Sequence, residues 1–374
     1  MATFGNYSVH SKDCTPLNRP AMPQSLTIRK IEGKPGQVYY PLQLNDVPKP
    51  VPGPGELLVK IHAAALNHRD FFIRQHLYPG ISFTNPLLCD GCQTASSLLN
   101  KLVILTPCLG WESDVDGPED VTKYAMIGSS ERTPLGAAQD YILVREEEVA
   151  LCPSHLSPVE GAALPLVGLT GWRAFVTKSG NAKAGRNILV TGIGGGVALQ
   201  VLQIGVAMGA NIYVTSGNEA KIEKAVRLGA KGGFNYKSEG GEKKLQKMLP
   251  SGRPYLDAVI DGAGGDIVPK ASRILKQGGV ICCYGMTVAP KLDFPMVAVL
   301  KQIDLRGSSA GSRSELKAFL EFVGENKIRP VISRTVKGLD NIDAINGLFE
   351  DMKFGKQFGK LIIEVDPTLS GAKL

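Results

Sequence analysis

Between about residues 24 and 165 the apolar positions come in short alternations broken by proline and glycine: "SLTIRKI", "ELLVKIHAAAL", "KLVILTP" and "AAQDYILVREEEVALCP". A period of two with frequent breakers predicts short strands, so this region reads as an irregular β domain. The stretch "VPKPVPGPGE" (47–56) is excluded from helix, because its four prolines fix φ and remove backbone donors. After about residue 166 the rhythm changes. Strand-like runs alternate with helical ones: "NILVTGI", "ALQVLQIGVAMG", "NIYVTS", "EAKIEKAVRLG", "GFNY", "EKKLQKML", "LDAVIDGAG", "PKASRILKQ" and "GVICCYG". Alternation of this kind with short connections predicts an α/β fold with a doubly wound parallel sheet. The remaining segments, "SELKAFLEFVGE", "NIDAINGLFEDM" and "GKLIIEV", predict two helices and a strand.

Composition narrows the class without changing this picture. The chain has 374 residues, 43% of them hydrophobic and 21% charged, with mean hydropathy near zero; it can bury two ordinary cores without disulfides or a structural metal. The 42 Lys and Arg exceed the 35 Asp and Glu, but the bases are scattered, which favours a small anionic ligand over nucleic acid. No run approaches the ~18 apolar residues of a membrane span. Seven cysteines spread along the chain point to thiols in a reducing, cytoplasmic compartment. Residues 1–21 read as a polar N-terminal extension, and the final Ala372-Lys373-Leu374 approaches a peroxisomal address, the alternative location.

The candidate chemistry begins at "NILVTGIGGGVALQVLQIGVAMGAN" (187–211), where a β run, a glycine cluster and an apolar helix follow one another. Glycines at such a junction allow a tight turn and let backbone amides approach a pyrophosphate, whose charge the helix N-terminus favours. The fitting spacing is Gly192-x-x-Gly195-x-x-Ala198, since Val197 stands where the commoner fingerprint has Gly or Ala. The next strand ends in Thr215-Ser216-Gly217-Asn218, followed by Lys221, with no acid where an NAD ribose would need one. With Tyr236 at the end of "GGFNY", these residues favour NADPH.

On these and other ordered matches the chain resembles the medium-chain dehydrogenase/reductases, in their zinc-independent quinone oxidoreductase and enoyl reductase branch, close to fungal and bacterial zinc-type alcohol dehydrogenase-like proteins. The matches run from Met22 to Val365 and include "PGPGELLVKIHAAALNHRD" (52–70), "AALPLVGLTGWRAF" (162–175), "TSGNEAKIEKA" (215–225), "DGAGG" (261–265), "LRGSSAGSR" (305–313) and "FGKLII" (358–363). The resemblance implies a GroES-like β-rich catalytic domain from residues 22–165 and 330–374, with a Rossmann domain inserted at 166–329. It implies that Gly194, Gly195, Gly196 and Val197 lie under the pyrophosphate, and that Ser216, Asn218, Lys221 and Tyr236 surround the 2′-phosphate. Gly262 and Gly285 would pack against the cofactor, Ser308 and Ser309 near the nicotinamide, and Lys360 at the cleft. Asn67 and Asp70 occupy an Asn-x-x-Asp turn beside the nicotinamide. A homodimer joined through a Rossmann edge strand is implied as well.

Zinc relatives ligate the metal through a Cys, a Gly-His-Glu and a second Cys; here those positions hold Asn67-His68-Arg69-Asp70, Leu88-Cys89-Asp90 and Leu166-Val167. The third ligand is missing, so Cys89 and Cys92 are expected to be small, semi-buried thiols with neither metal nor disulfide. The run from Gln93 through "TASSLLNK" lacks the glycines of the family and predicts a shortened cleft wall. Without zinc the expected task is NADPH-dependent conjugate reduction of an unsaturated carbonyl or a quinone. Asn67, His68, Tyr78 and amides near Ser308 are the candidate donors, with Tyr78 or water as proton source; Tyr78 also reads as a pocket wall residue. A zinc-type alcohol dehydrogenase and an NADPH-binding protein with little turnover are the alternatives.

Overall fold

A computed structural model describes residues 22–95 and 101–366. The middle of the chain forms a six-stranded sheet in the spatial order Gly232–Asn235, Asn211–Ser216, Asn187–Val190, Leu256–Asp261, Leu275–Cys283, Asp304–Gly307. Every neighbouring pair is parallel. The order reverses beside Asn187–Val190, which puts a crevice at the carboxyl ends of the central strands, where doubly wound sheets bind ligands. Strands covered on both faces need continuous apolar sequence. Accordingly all of Asn187–Val190 and Leu256–Asp261 is buried. The helix Glu219–Arg227 buries only Ile222 and Ala225, three residues apart, and turns its charges to solvent.

Segments from before and after the parallel sheet meet in a second, seven-stranded sheet, beside which Gln24–Ile28 and Leu42–Asp46 form a separate pair. The long strand of the seven-stranded sheet, Glu56–Ala65, pairs with Asp90–Ala95 and Tyr141–Arg145 on the N-terminal side of the sequence and with Lys360–Glu364 from the far end. The register Ile362↔Ala65 brings Lys360 to the residues that follow Ala65. Asp90–Ala95 also forms an antiparallel pair with Leu102–Leu105 through Gln93↔Val103 and Thr94↔Leu102, so the sheet is present on both sides of the departure predicted after Gln93. Residues 96–100 lie outside the described residues, as do the extension 1–21 and the terminal tripeptide.

Some elements differ from the sequence reading. Leu275, Lys276 and Gln277, taken as the end of a helix, belong to the strand Leu275–Cys283, and the helix before it is only Ile267–Ala271. Asn67 and Asp70 sit at the start of a helix, His68–Arg74, rather than in an isolated turn. The short helix Pro158–Ala162 and the helix Pro165–Trp172, which continues as a π-helix over Arg173–Lys178, carry the chain between the two sheets. No helix among the described residues is long and apolar enough to cross a membrane.

Candidate active site and cofactor cleft

A cleft of about 740 Å³ lies between the two sheets, lined from one side by the glycine loop and strand ends of the parallel sheet and from the other by Asn67, Tyr78 and Lys360. Gly192 and Gly194 adopt φ of 65° and 120°, values that a side chain would strain, and so carry the chain from strand to helix. The helix Gly196–Ala207 starts there, and its first residues, Gly196 and Val197, line the cleft. A Cβ on Gly196 would come within 2.8 Å of Val167 Cγ1 and 3.0 Å of Lys360 Cδ, so only glycine lets the helix end approach the Lys360 stem. Gly359 N donates to Gly194 O at 3.0 Å, which ties the far end of the chain to the glycine loop.

At one end of this cleft Ser216, Asn218, Lys221 and Tyr236 line the wall as a group. Lys237 joins them. It was not singled out in the sequence, although it directly follows Tyr236. A Cβ on Gly217 would fall 2.8 Å from both Lys237 Cε and Tyr236 Oη, so this glycine is what allows both chains to fold over the strand end. Lys221 Nζ donates to Gly355 O at 2.7 Å, bridging the parallel-sheet region to the loop before Lys360–Glu364. Burial, with Lys224 nearby, lowers the affinity of its amine for a proton. Among the described residues no Asp or Glu lines the cleft, while His68, Arg69, Lys221, Lys237 and Lys360 do. Gly262 and Gly285 also line it, and a side chain on Gly262 would overlap the Tyr284 phenol. Asp261 holds this turn by accepting from Thr191 Oγ1 at 2.6 Å and Gly264 N at 2.9 Å.

The deepest polar feature is a closed network around Lys360. Its ammonium, 4% exposed, has three protons and three acceptors: Leu66 O at 2.7 Å, Asn67 Oδ1 at 2.8 Å and Asp90 Oδ2 at 2.8 Å. Asn67 Nδ2 in turn donates to Asp90 Oδ2 at 2.8 Å and to Cys89 Sγ at 3.5 Å, while Asp90 Oδ1 accepts from Leu166 N at 2.8 Å. Every hydrogen-bonding group of the Asn67 amide is therefore occupied within the protein. Asn67 thus serves as a strut, with no donor left for a substrate oxygen.

This network also answers whether zinc suits the site. Asn67, Cys89, Asp90 and Leu166 do converge, but around a fixed ammonium, and a divalent cation there would meet like charge. Burial first, and then the Asp90 carboxylate, pushes the Cys89 thiol well up, against the thiolate that zinc needs. Among the described residues no three His, Cys, Asp or Glu side chains are grouped to hold a metal. Cys89 and Cys92 are fully buried rather than semi-buried. The residues present do not fit catalytic zinc.

Two residues named from sequence do not line the cleft. Asp70 is fully buried behind it, accepting Asn67 N at 2.7 Å and facing Arg69 Nη1 at 3.5 Å. Ser308 has its N–H bonded to Cys283 O, and its neighbour Ser309 lines the cleft instead. Burial pushes the Asp70 carboxyl up to about 6, opposed by Arg69, the Asn67 N–H and Lys360. A folded value above the ordinary 3.8 means that the folded protein keeps a proton the unfolded chain releases in that window. The stability this supplies is present at lower pH and is lost as pH rises through about 6. Relative to wild type, Asp70→Asn is therefore expected to gain melting temperature between about pH 4.5 and 7.5, which parallel thermal scans would check.

The fold is a parallel doubly wound sheet joined to a second, mostly antiparallel one, with a glycine-lined cleft at the switch point of the first. The zinc-binding dehydrogenase family matches residues 196–325. A zinc-type alcohol dehydrogenase-like protein, YogA, of Leptosphaeria maculans is 60% identical over 92% of this chain and all of its own. A similarly described protein of Schizosaccharomyces pombe is 28% identical over 89% of this chain and 95% of its own. Among solved structures, an NAD-dependent alcohol dehydrogenase superposes with a TM-score of 0.79 at 27% identity, covering 91% of this chain and 99% of its own. A crotonyl-CoA carboxylase/reductase, AntE, in complex with NADP shares the fold at 19% identity, TM-score 0.77, over 93% of this chain and 95% of its own. The chain belongs to the medium-chain dehydrogenase/reductase superfamily, among its zinc-type alcohol dehydrogenase-like members.

Proposed function

We propose that the protein is an NADPH-dependent reductase that adds hydride to an activated C=C bond or a quinone without a metal. The observation that carries this reading is the Lys360–Asp90–Asn67 network, which fills the point where a catalytic metal would be held with a tethered ammonium whose protons are all used inside the protein. A carbonyl substrate then has no Lewis acid at that point, so an acceptor already activated by conjugation suits the cleft better than a simple ketone or alcohol. Gly194 to Val197 would lie beneath the pyrophosphate, and Ser216, Asn218, Lys221, Tyr236 and Lys237 around the 2′-phosphate. Gly262, Gly285 and Ser309 would flank the nicotinamide half. Bound there, the reduced nicotinamide supplies the hydride. The protein aligns the alkene, excludes water and provides the proton, for which Tyr78 is the candidate at the cleft wall.

The test is NADPH oxidation, followed by absorbance, with a panel of enones, quinones, enoyl thioesters and simple ketones, alongside metal analysis of the purified protein. Turnover of conjugated acceptors with NADPH and no stoichiometric zinc is expected. Turnover confined to simple carbonyls or alcohols together with one bound zinc per chain would replace this reading by a zinc alcohol dehydrogenase.

A homodimer is part of the proposal. Asp304–Gly307 is the exposed edge of the parallel sheet, and Val288, Met296, Val299, Leu300 and Leu305 near it are solvent-exposed apolar side chains. Such a patch beside an unpaired strand edge invites pairing with an identical edge. Leu300→Glu combined with Leu305→Arg is expected to convert the dimer to monomer in sedimentation velocity. A cytoplasmic location, or a peroxisomal one through Ala372-Lys373-Leu374, fits the same soluble chemistry.

A further inference from the structure

In the reductase reading the 2′-phosphate falls to Lys221 and its neighbours and the pyrophosphate to the glycine loop, which leaves the adenine ring without a surface. The opposite wall offers one. Phe354 lines the cleft and is 61% exposed, whereas Met352 and Leu361 on the same wall are buried. The backbone fixes its position. Phe354 caps the helix Ile342–Lys353, and its N–H donates to Glu350 O at 3.0 Å. Gly355, at φ 58°, turns the chain and donates to Met352 O at 3.1 Å, and Lys356 N donates to Asp351 O at 2.8 Å. The ring is therefore presented before any ligand arrives, which leaves little ordering for binding to supply. Two ammoniums flank it, Lys353 Nζ at 5.3 Å and Lys356 Nζ at 5.5 Å from the ring centroid, and their charge suits a base carried on a phosphorylated ribose. Lys221 Nζ decides which part of a ligand reaches the ring, because it donates at 2.7 Å to the carbonyl of Gly355, the next residue. In NADPH the adenine and the 2′-phosphate sit on adjacent carbons of one ribose. A phosphate that takes Lys221 from Gly355 O therefore brings the adenine beside Phe354, with the nicotinamide beyond the pyrophosphate.

We propose that Phe354 is the adenine platform of the cleft, on whose ring the base stacks while Lys353 and Lys356 turn toward the ribose phosphate. This rests on the dinucleotide part of the reading above. Ser216, Lys221 and the glycine loop belong to the parallel sheet. Phe354 instead follows a helix whose Ile345, Leu348 and Phe349 sit in the core of the seven-stranded sheet. The base thus bridges the two halves, and the coenzyme itself closes the cleft that it enters. Stacking uses the π face that every base has and reads no base edge. On an aromatic side chain it corresponds to roughly 5- to 150-fold in affinity, more than an exposed ammonium gains from the same ring, so the lysines yield the face to the base. The contribution is independent of the 2′-phosphate. Phe354 therefore serves NADPH and NADH alike, while Lys221 distinguishes them.

The probes are 2′,5′-ADP, which carries the base and the 2′-phosphate without nicotinamide, and reduced nicotinamide mononucleotide, which carries neither. Both are titrated calorimetrically alongside NADPH and NADH. Phe354→Leu keeps apolar bulk and removes the π face, whereas Phe354→Trp keeps the face and adds a fluorophore. Phe354→Leu is expected to weaken 2′,5′-ADP, NADPH and NADH alike by roughly tenfold and to leave the mononucleotide unchanged. Phe354→Trp is expected to bind the three adenine ligands at least as tightly as wild type, with its added indole emission quenched by 2′,5′-ADP. Wild-type affinity of Phe354→Leu for 2′,5′-ADP would overturn the proposal, and so would an equal loss for the mononucleotide. An emission of Phe354→Trp that bound 2′,5′-ADP leaves unchanged would also overturn it, and that measurement alone decides if Phe354→Leu loses stability. If wild type binds NADH but not 2′,5′-ADP, and Phe354→Leu weakens NADH, the NADPH reading is lost and the adenine platform stands. If wild type binds neither coenzyme, both fail.

Discussion

Replacement of Lys360 by methionine is expected to be the most damaging single change in the molecule. The substitution keeps the apolar stem that packs beside Gly196 and Val167 and removes only the ammonium. What remains is Asp90, fully buried, with Oδ2 facing Asn67 alone, and two acceptors, Leu66 O and Asn67 Oδ1, without donors. Removing one partner of a buried pair leaves an uncompensated charge and costs about 3–5 kcal/mol, more than the pair itself contributes. Because Lys360 lies in the strand that joins the last part of the chain to Glu56–Ala65, the loss would loosen the sheet seam and the glycine loop together. The check is a thermal or urea melt of three variants: Lys360→Met, Asp90→Asn and the double. Removing both charges is expected to leave the protein more stable than Lys360→Met alone, since an amide at position 90 still bonds to Leu166 N or Asn67 without a stranded charge. If the double is worse than either single, the network's strength lies in something other than charge compensation.

The part of this architecture that depends on local pattern was legible in the sequence. Asn187–Val190 and Asn211–Ser216 are buried on both faces, so their apolar runs had no competing interpretation. "ASRILKQ" was ambiguous because its apolar spacing suits a helix turn or a strand equally, and pairing with Leu256–Asp261 decided for strand at Leu275. The helix His68–Arg74 carried a readable signal in the N-cap Asn67 and the Asp70 three residues on, whose carboxylate accepts the cap N–H. Reading the pair only as cofactor contacts obscured that Asp70 is structural. Asn67 could not have been understood from the sequence, because its amide is oriented by a lysine 293 positions away. The placement of Arg69 was hidden for a related reason: an arginine in a sequence reads as surface, and its burial against the carbonyls of Ile127 and Gly128 shows only in the fold.

Lys221→Ala is expected to weaken the binding of NADPH selectively. In the structure this ammonium stands over the glycine loop, 3.2 Å from where a Cβ on Gly194 would lie, and is bonded to Gly355 O. Engaging a 2′-phosphate exchanges that carbonyl for a dianion. A charge-assisted bond of this kind contributes about 1.5–3 kcal/mol, or roughly a 10- to 150-fold change in affinity. The gain is specific to NADPH, since NADH has only a hydroxyl at that position. Calorimetric titration of both coenzymes is therefore expected to show NADPH weakened by that factor and NADH nearly unchanged. The same variant also loses the tie between the helix Glu219–Arg227 and the loop at Gly355, but loosening that tie would weaken both coenzymes alike. An equal fall for NADH and NADPH would mean that Lys221 reads the pyrophosphate shared by both, and phosphate selection would then pass to Tyr236 and Lys237. Lys237→Ala would settle that assignment, because its Cε and the Tyr236 hydroxyl converge over Gly217 at the end of the strand Asn211–Ser216, farther along the same wall.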